Sequence, residues 1–146
     1  MFEQTLYAGW GDIDFNSHMR NTAYLDKSGD VRMQFFASVG FSMAEFMAQR
    51  FGPVVRKDEV EYFKEIALLD EFRVTLSVVA LSEDGGRFKL RNEFYHGDGR
   101  LAAKVTSSGG WLDLKARKLR LPPTEIDAAL RDIVKADEFE VLPSLK

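Results

Sequence analysis

The sequence predicts an α+β domain in which a five-stranded, curved antiparallel sheet wraps one long apolar helix, with short extra helices beside it. Three observations carry this. Apolar residues recur at steps of three and four from Thr22 to about Val39, period two then holds for about sixty residues after Pro53, and two glycine-rich turns divide that region at hairpin spacing. With 146 residues, 45% hydrophobic and 29% charged, the chain is expected to form a single domain over residues 1–146, because two domains would each be very small.

Residues 2–10 (FEQTLYAGW) read as a short strand, and residues 11–21 (GDIDFNSHMRN) as a polar loop that is long for a connector. In the helix that follows, Tyr24/Leu25, Ser28, Val31, Phe35/Phe36 and Val39 form the apolar stripe, with Asn21 or Thr22 as N-cap. Ser28-Gly29 interrupts it, although a mid-helix Gly costs about 1 kcal/mol relative to Ala. Small residues there predict a helix pressed closely onto the sheet. A second helix is expected over Ser42 to Arg50, bounded by Gly40 and by Gly52-Pro53.

The sheet begins with a mixed, charged strand at about Val54 to Lys64. Next, Phe72, Val74, Leu76, Val78 and Ala80 alternate with Glu71, Arg73, Thr75 and Ser77, giving one buried and one wetter face. Glu83-Asp84-Gly85-Gly86 signals a hairpin into Phe88, Leu90 and Phe94, which alternate with Arg87, Lys89, Arg91 and Glu93. His96-Gly97-Asp98-Gly99 opens the next hairpin, and Leu101, Ala103, Val105 and Trp111 form a strand that Gly109-Gly110 should bend or bulge. After Pro122-Pro123, Thr124 is placed as the cap of a last helix near Glu125 to Val134, followed by a polar tail.

Composition narrows the functions. Lys+Arg 20 against Asp+Glu 23 leaves a formal net charge of -3, without the basic field that holds a nucleic-acid backbone. No Cys is present, which removes disulfide scaffolds, thiolate zinc sites and cysteine nucleophiles, and suits a reducing cytoplasm. The two histidines, His18 and His96, leave little for a metal site, and none is expected. Met1 to Trp10 contains Glu3 and no apolar run, so it does not read as a signal peptide, and no stretch approaches the roughly 18 apolar residues of a membrane span.

The densest polar cluster is Gly11 to Asn21, between the first strand and the long helix. Asp12-x-Asp14-x-Asn16 opens like a calcium loop, but Ser17 stands where Gly is needed and Ala23 where Glu is needed. A helix starting near Asn21 and Thr22 offers free amides and the positive end of its dipole, the components of an oxyanion hole. Asp14, seven positions upstream, sits on a loop that must return toward that helix end, where the dipole favours the carboxylate. An ionised Asp14 suits a nucleophile or a general base. Asp12 is its nearest competitor, and a turn or cap is the plain alternative for either. His18 either orients substrate or protonates a leaving group, or is a loop histidine bonded to backbone. Tyr24, Phe35 and Phe36 read as core, Asp26 and Asp30 as a solvated helix face, and His96 as a hairpin residue.

The run from Asp14 to Leu25, with Asp14, His18, Asn21, Tyr24 and Leu25 in the spacing D-x-x-x-H-x-x-N-x-x-Y-L, resembles the hotdog-fold acyl-CoA thioesterases of the hydroxybenzoyl-CoA thioesterase type. The likeness extends through the order of elements and through Trp111-Leu112-Asp113-Leu114, Arg117 and Pro122-Pro123. It implies a hotdog fold, hydrolysis of an acyl-CoA to free acid and coenzyme A without a bound cofactor, Asp14 and His18 at the catalytic centre, and a homodimer or homotetramer with its site between subunits. Arg87, Lys89 and Arg91 share one strand face, about 6–7 Å apart, and either meet coenzyme A phosphates or form an ordinary charged outer face. Three rival readings remain: a hydratase acting on enoyl or hydroxyacyl thioesters on the same fold, a non-catalytic acyl-CoA binding module, and recruitment of a carrier protein by the basic strand.

Overall fold

The computed structural model describes residues 1–146. Its elements are β1 (Glu3–Tyr7), a 3₁₀ turn (Trp10–Asp12), α1 (Asn21–Ser38), α2 (Met43–Gln49), β2 (Phe51–Tyr62), β3 (Glu71–Thr75), β4 (Ser77–Ser82), β5 (Arg87–His96), β6 (Leu101–Asp113), β7 (Lys118–Arg120), α3 (Thr124–Arg131) and β8 (Lys135–Leu142). No helix is long and apolar enough to cross a membrane.

The expected antiparallel core is present. β3 and β4 are two halves of the strand anticipated over 72–80, both opposite β5, with Val74 facing Phe94 and Ser77 facing Arg91. The break falls at Leu76, whose N–H donates to Phe2 O at 3.1 Å, while Asn92 Nδ2 takes the Thr75 carbonyl at 3.1 Å. β1 flanks β3, and on the other side of β5 lie β6 and then β2. β2 pairs with β6 alone and is an edge, which is why Pro53 is tolerated within it.

Several boundaries differ from expectation. The tail is a strand: β8 runs parallel to β4, Leu81 against Val141, and only Ala136, Phe139 and Leu142 of its residues are shielded. Pro123 is the N-cap of α3, Thr124 lies inside the helix, and the helix ends at Arg131. The bulge anticipated at Gly109-Gly110 lies in the opposing strand, between Val55 and Lys57 of β2, and Gly109 accommodates it because a Cβ there would collide with the Val54 carbonyl.

α1 lies on one face of the sheet over two apolar clusters. One joins Phe35, Phe36, Trp111 and Phe88 to Ile126 and Leu130 of α3, and the other joins Ala23, Tyr24 and Val31 to Phe72, Phe94 and Ala103. Burying such side chains stabilises by about 1.5–3 kcal/mol each. Between the clusters is a polar layer in which Arg32 Nη1 donates to Asn92 Oδ1 (3.1 Å) and Ser107 Oγ (3.3 Å), and Ser107 Oγ donates to Asp58 Oδ1 (2.5 Å). Ser28 is fully buried as expected, but Gly29 does not mark close packing: a Cβ there would meet nothing within 4 Å.

Candidate active site

The loop from Ile13 to Met19 is closed by a bridge between those two residues, with Asp14 N–H donating to His18 O at 2.9 Å. Asp14 turns the chain locally: its Oδ1 accepts the Asn16 N–H at 2.9 Å, and Ser17 adopts the left-handed conformation, φ 70°. Asp12 does something different. Its Oδ2 accepts the Gly9 N–H at 2.8 Å, closing the 3₁₀ turn, and meets Lys27 Nζ at 3.1 Å. Burial pushes the Asp12 carboxyl up, but the Gly9 amide and Lys27 outweigh it and hold it below the ordinary Asp value.

The N-cap of α1 is Arg20, one residue before Asn21 and two before Thr22, the expected caps, and no side chain caps the helix. Arg20 instead braces the loop, its guanidinium bonded to the Gly11 carbonyl and to Thr22 Oγ1 (3.1 Å). The first-turn amides of Asn21 and Thr22 are therefore unpaired on an exposed helix end, which concentrates positive potential there.

Beside that end is a cavity of about 280 Å³ lined by His18, Met19, Asn21, Tyr24, Tyr62, Phe63, Lys64 and Glu65. Two strands of chain far apart in sequence build it. Met19 N–H donates to Ile66 O at 2.7 Å and His18 bridges Ala67, which brings Glu65 Oε2 to 3.2 Å from His18 Nε2. The Tyr62 hydroxyl donates to the Asn21 carbonyl at 3.0 Å. Tyr24 packs edge-on against both Tyr62 and Phe94, with centroids 5.2 Å away. Burial first, then the charges of Tyr62, Asp14 and Glu65, push the Tyr24 phenol up to about 12, so Asp14 bears on the same hydroxyl that lines the cavity.

The structure thus brings His18, Asn21 and the helix start to one cavity, whereas Asp14, half-exposed, is not among the residues that line it. Tyr24, read as core, is both: it is 3% exposed and lines the cavity. Tyr62, Lys64 and Glu65 were not singled out from sequence. Arg87, Lys89 and Arg91 do share a face of β5, but none lines the cavity. Arg91 is tied to Thr106 Oγ1 (3.1 Å) and Glu138 Oε1 (2.9 Å), Arg87 Nε is enclosed without a partner, and Lys89 makes no ion pair.

These features place the chain in a known class. It belongs to the thioesterase-like superfamily, whose family model matches residues 8–130. Among solved structures it is similar to a hypothetical protein of Staphylococcus aureus in complex with CoA, at 24% identity and TM-score 0.81 over 92% of this chain and 87% of that one. A 1,4-dihydroxy-2-naphthoyl-CoA thioesterase from Synechocystis matches at 16% identity and TM-score 0.80, covering 90% and 96%. A probable thioesterase from Escherichia coli matches at 20% identity and TM-score 0.75, covering 92% and 100%. None of the curated proteins matches it in sequence. The fold is the hotdog fold of these thioesterases, as the sequence implied.

Proposed function

We propose that the protein hydrolyses an acyl-CoA thioester to the free acid and coenzyme A, with Asp14 as nucleophile or general base and the Asn21 and Thr22 amides as oxyanion hole. The observation that carries this is the uncapped start of α1 opening beside a cavity that His18 lines, with Asp14 on the same closed loop and its N–H bonded to the His18 carbonyl. With the carbonyl oxygen at the two amides, attack on the carbonyl carbon moves an electron pair onto that oxygen, where the unpaired N–H groups and the helix dipole stabilise it. If water attacks, Asp14 takes its proton. If Asp14 attacks, a mixed anhydride forms that water then opens. In either case the C–S bond breaks and the sulfur leaves with its electron pair as the coenzyme A thiolate; on the water route the proton that Asp14 took passes to it, and on the anhydride route a protonated His18 supplies it and regains a proton from the water that opens the anhydride. Glu65 orients the His18 ring for that role.

The assembly we infer is a homodimer or homotetramer. β2 leaves one side of a twelve-residue strand unpaired, an edge that a second copy can extend. Arg87, Lys89 and Arg91 lie on the face of β5 away from α1, so their contact with coenzyme A phosphates would serve the cavity of another copy.

Thiol release from a panel of aliphatic and aromatic acyl-CoA substrates tests the activity. Asp14→Asn should lower kcat by about a hundredfold or more with folding and ligand binding retained. Unchanged turnover in that variant would refute the assignment.

A further inference from the structure

A second cavity, of about 510 Å³, is lined by Gln49, Arg50, Asp113, Lys115 and Ala116. Arg50 closes α2 in the left-handed conformation (φ 56°) and leads into β2. Its carbonyl accepts the Leu114 N–H at 2.9 Å, and Phe51 faces Asp113 across the β2–β6 ladder, which brings the two segments together. Asp113 is the one acid of this lining, and its Oδ1 already accepts the Ala116 and Lys115 N–H groups at 2.8 and 2.9 Å. Arg50 and Lys115 make no ion pair within the chain, and Arg117 and Lys118 follow in the same exposed hairpin. A concave surface of unpaired cations favours a ligand with several negative charges, phosphates above all.

β2 links this cavity to the first. Arg50 precedes its start, whereas Tyr62, Phe63 and Lys64 line the 280 Å³ cavity at its end, about 36 Å away along the strand. One chain therefore holds the two apart. A second copy on the free edge of β2 joins them, because antiparallel pairing, the stronger kind, sets the start of one strand against the end of the other. The bulge suits this alignment. Phe51, Pro53 and Val55 face α1 before it, and Asp58, Val60 and Tyr62 face α1 after it. Like faces then oppose along all twelve residues when Phe51 lies opposite the partner's Tyr62 and Val55 opposite the partner's Asp58. Arg56 and Lys57 meet at the centre of such a pair, with Glu59 at 3.4 Å from Lys57 to offset their repulsion. In this pairing Arg50 of the partner subunit stands opposite Phe63, beside Lys64, in the wall of the first cavity.

We propose that the second cavity of one copy holds the phosphates of the coenzyme A whose thioester lies in the first cavity of the other, with Arg50 and Lys115 as its cations. This rests on the thioesterase reading above and deepens it, since each site is incomplete without the partner's Arg50 and Lys115. Coenzyme A suits the division: its charges sit on phosphates remote from its sulfur. Lys64 is the only lysine or arginine lining the first cavity, and Glu65 stands next to it there.

Thiol release is measured for octanoyl-CoA, benzoyl-CoA and the N-acetylcysteamine thioesters of the same acids, which lack phosphates. In Arg50→Glu, and more so in Arg50→Glu/Lys115→Glu, the kcat/KM ratio of CoA to N-acetylcysteamine thioester should fall about tenfold or more, through KM. Both side chains are exposed, so the variants should fold. An Asp14→Asn chain and an Arg50→Glu/Lys115→Glu chain are then co-expressed with different tags and purified as a mixed pair. One site of that pair joins an intact Asp14 to an intact second cavity and the other has neither, so it should show the wild-type KM for acyl-CoA at about half the wild-type kcat. No mixed pair, a mixed pair without that KM, a ratio unmoved by the charge reversals, or a larger loss from Lys89→Glu than from Arg50→Glu overturns the proposal and leaves the activity standing. Should no thioester be cleaved, the activity reading fails, and calorimetry with coenzyme A alone decides: binding weakened by Arg50→Glu/Lys115→Glu supports the phosphate site, and equal or absent binding overturns it.

Discussion

His18 Nε2 lies 3.2 Å from Glu65 Oε2, and both side chains line the same cavity. The pair joins the loop before α1 to the segment after β2, elements that touch again through the Met19–Ile66 backbone bond. Glu65 is 74% exposed, so the pair contributes little to stability, about 0–1 kcal/mol. Its consequence lies in ring orientation. Glu65→Gln should therefore leave the urea midpoint nearly unchanged while lowering kcat several-fold, and the double variant with His18→Ala should cost no more than His18→Ala alone. Full additivity of the two kinetic losses would show that Glu65 does not act through His18.

Asp12 and Asp14 differ in what holds them, and acid separates them. The native Asp12 pKa is depressed, so its contribution to stability is fully present above the ordinary Asp value of 3.8 and is lost as pH falls through the lowered native value. Asp12→Asn should destabilise by about 1 kcal/mol at neutral pH, the worth of a cap and a partly shielded ion pair. The difference from wild type should vanish in strong acid. Denaturant midpoints measured across that range check this, and activity should follow stability rather than fall by the hundredfold expected for Asp14→Asn.

The parts of this fold that were legible in sequence are those with a local period. α1 announces itself by steps of three and four, and β5 by strict alternation from Arg87 to Phe94. β8 does not, because it shields only Ala136, Phe139 and Leu142, a spacing of three that departs from the period of two by which a strand is read. The site divides the same way. Asp14, His18 and Asn21 fall within eight residues and were readable together, whereas Glu65 reaches His18 across 47 positions through backbone pairing that no local pattern encodes. Nor does a sequence show that both carboxylates accept a turn amide while only Asp12 also meets a lysine. That distinction came from Lys27 beside Asp12.

Tyr24 supplies a readout of Asp14 that does not depend on turnover. Its phenol is pushed up to about 12 by burial and then by neighbouring negative groups, Asp14 among them. Because the native value is raised, this contribution to stability is present below the ordinary 10.0 and is lost as pH climbs toward about 12. Ultraviolet titration should show a last tyrosine to ionise that is absent in Tyr24→Phe, since burial raises Tyr62 and Tyr95 as well but Tyr24 the most. In Asp14→Asn the same tyrosine should ionise at lower pH, since one of the charges opposing it is gone. An unmoved titration would mean that the carboxylate does not face the cavity.

Two glycines test the packing on either side of the polar layer, and they should respond in opposite directions. Gly109 is forced by the β2 bulge: an added methyl would strike the Val54 carbonyl, a backbone atom within a paired strand that cannot retreat without opening the β2–β6 ladder. Gly109→Ala should destabilise by about 2–3 kcal/mol, the range for overpacking a well-filled site. Gly29 sits in a helix interior with open space before it, so its alanine variant loses nothing in contacts and reduces the conformational freedom of the unfolded chain. Gly29→Ala should stabilise by about 0.5–1 kcal/mol. Urea denaturation of both variants in parallel decides it: destabilisation by Gly29→Ala would show that this flank of α1 is already covered, by a second copy or by the sheet.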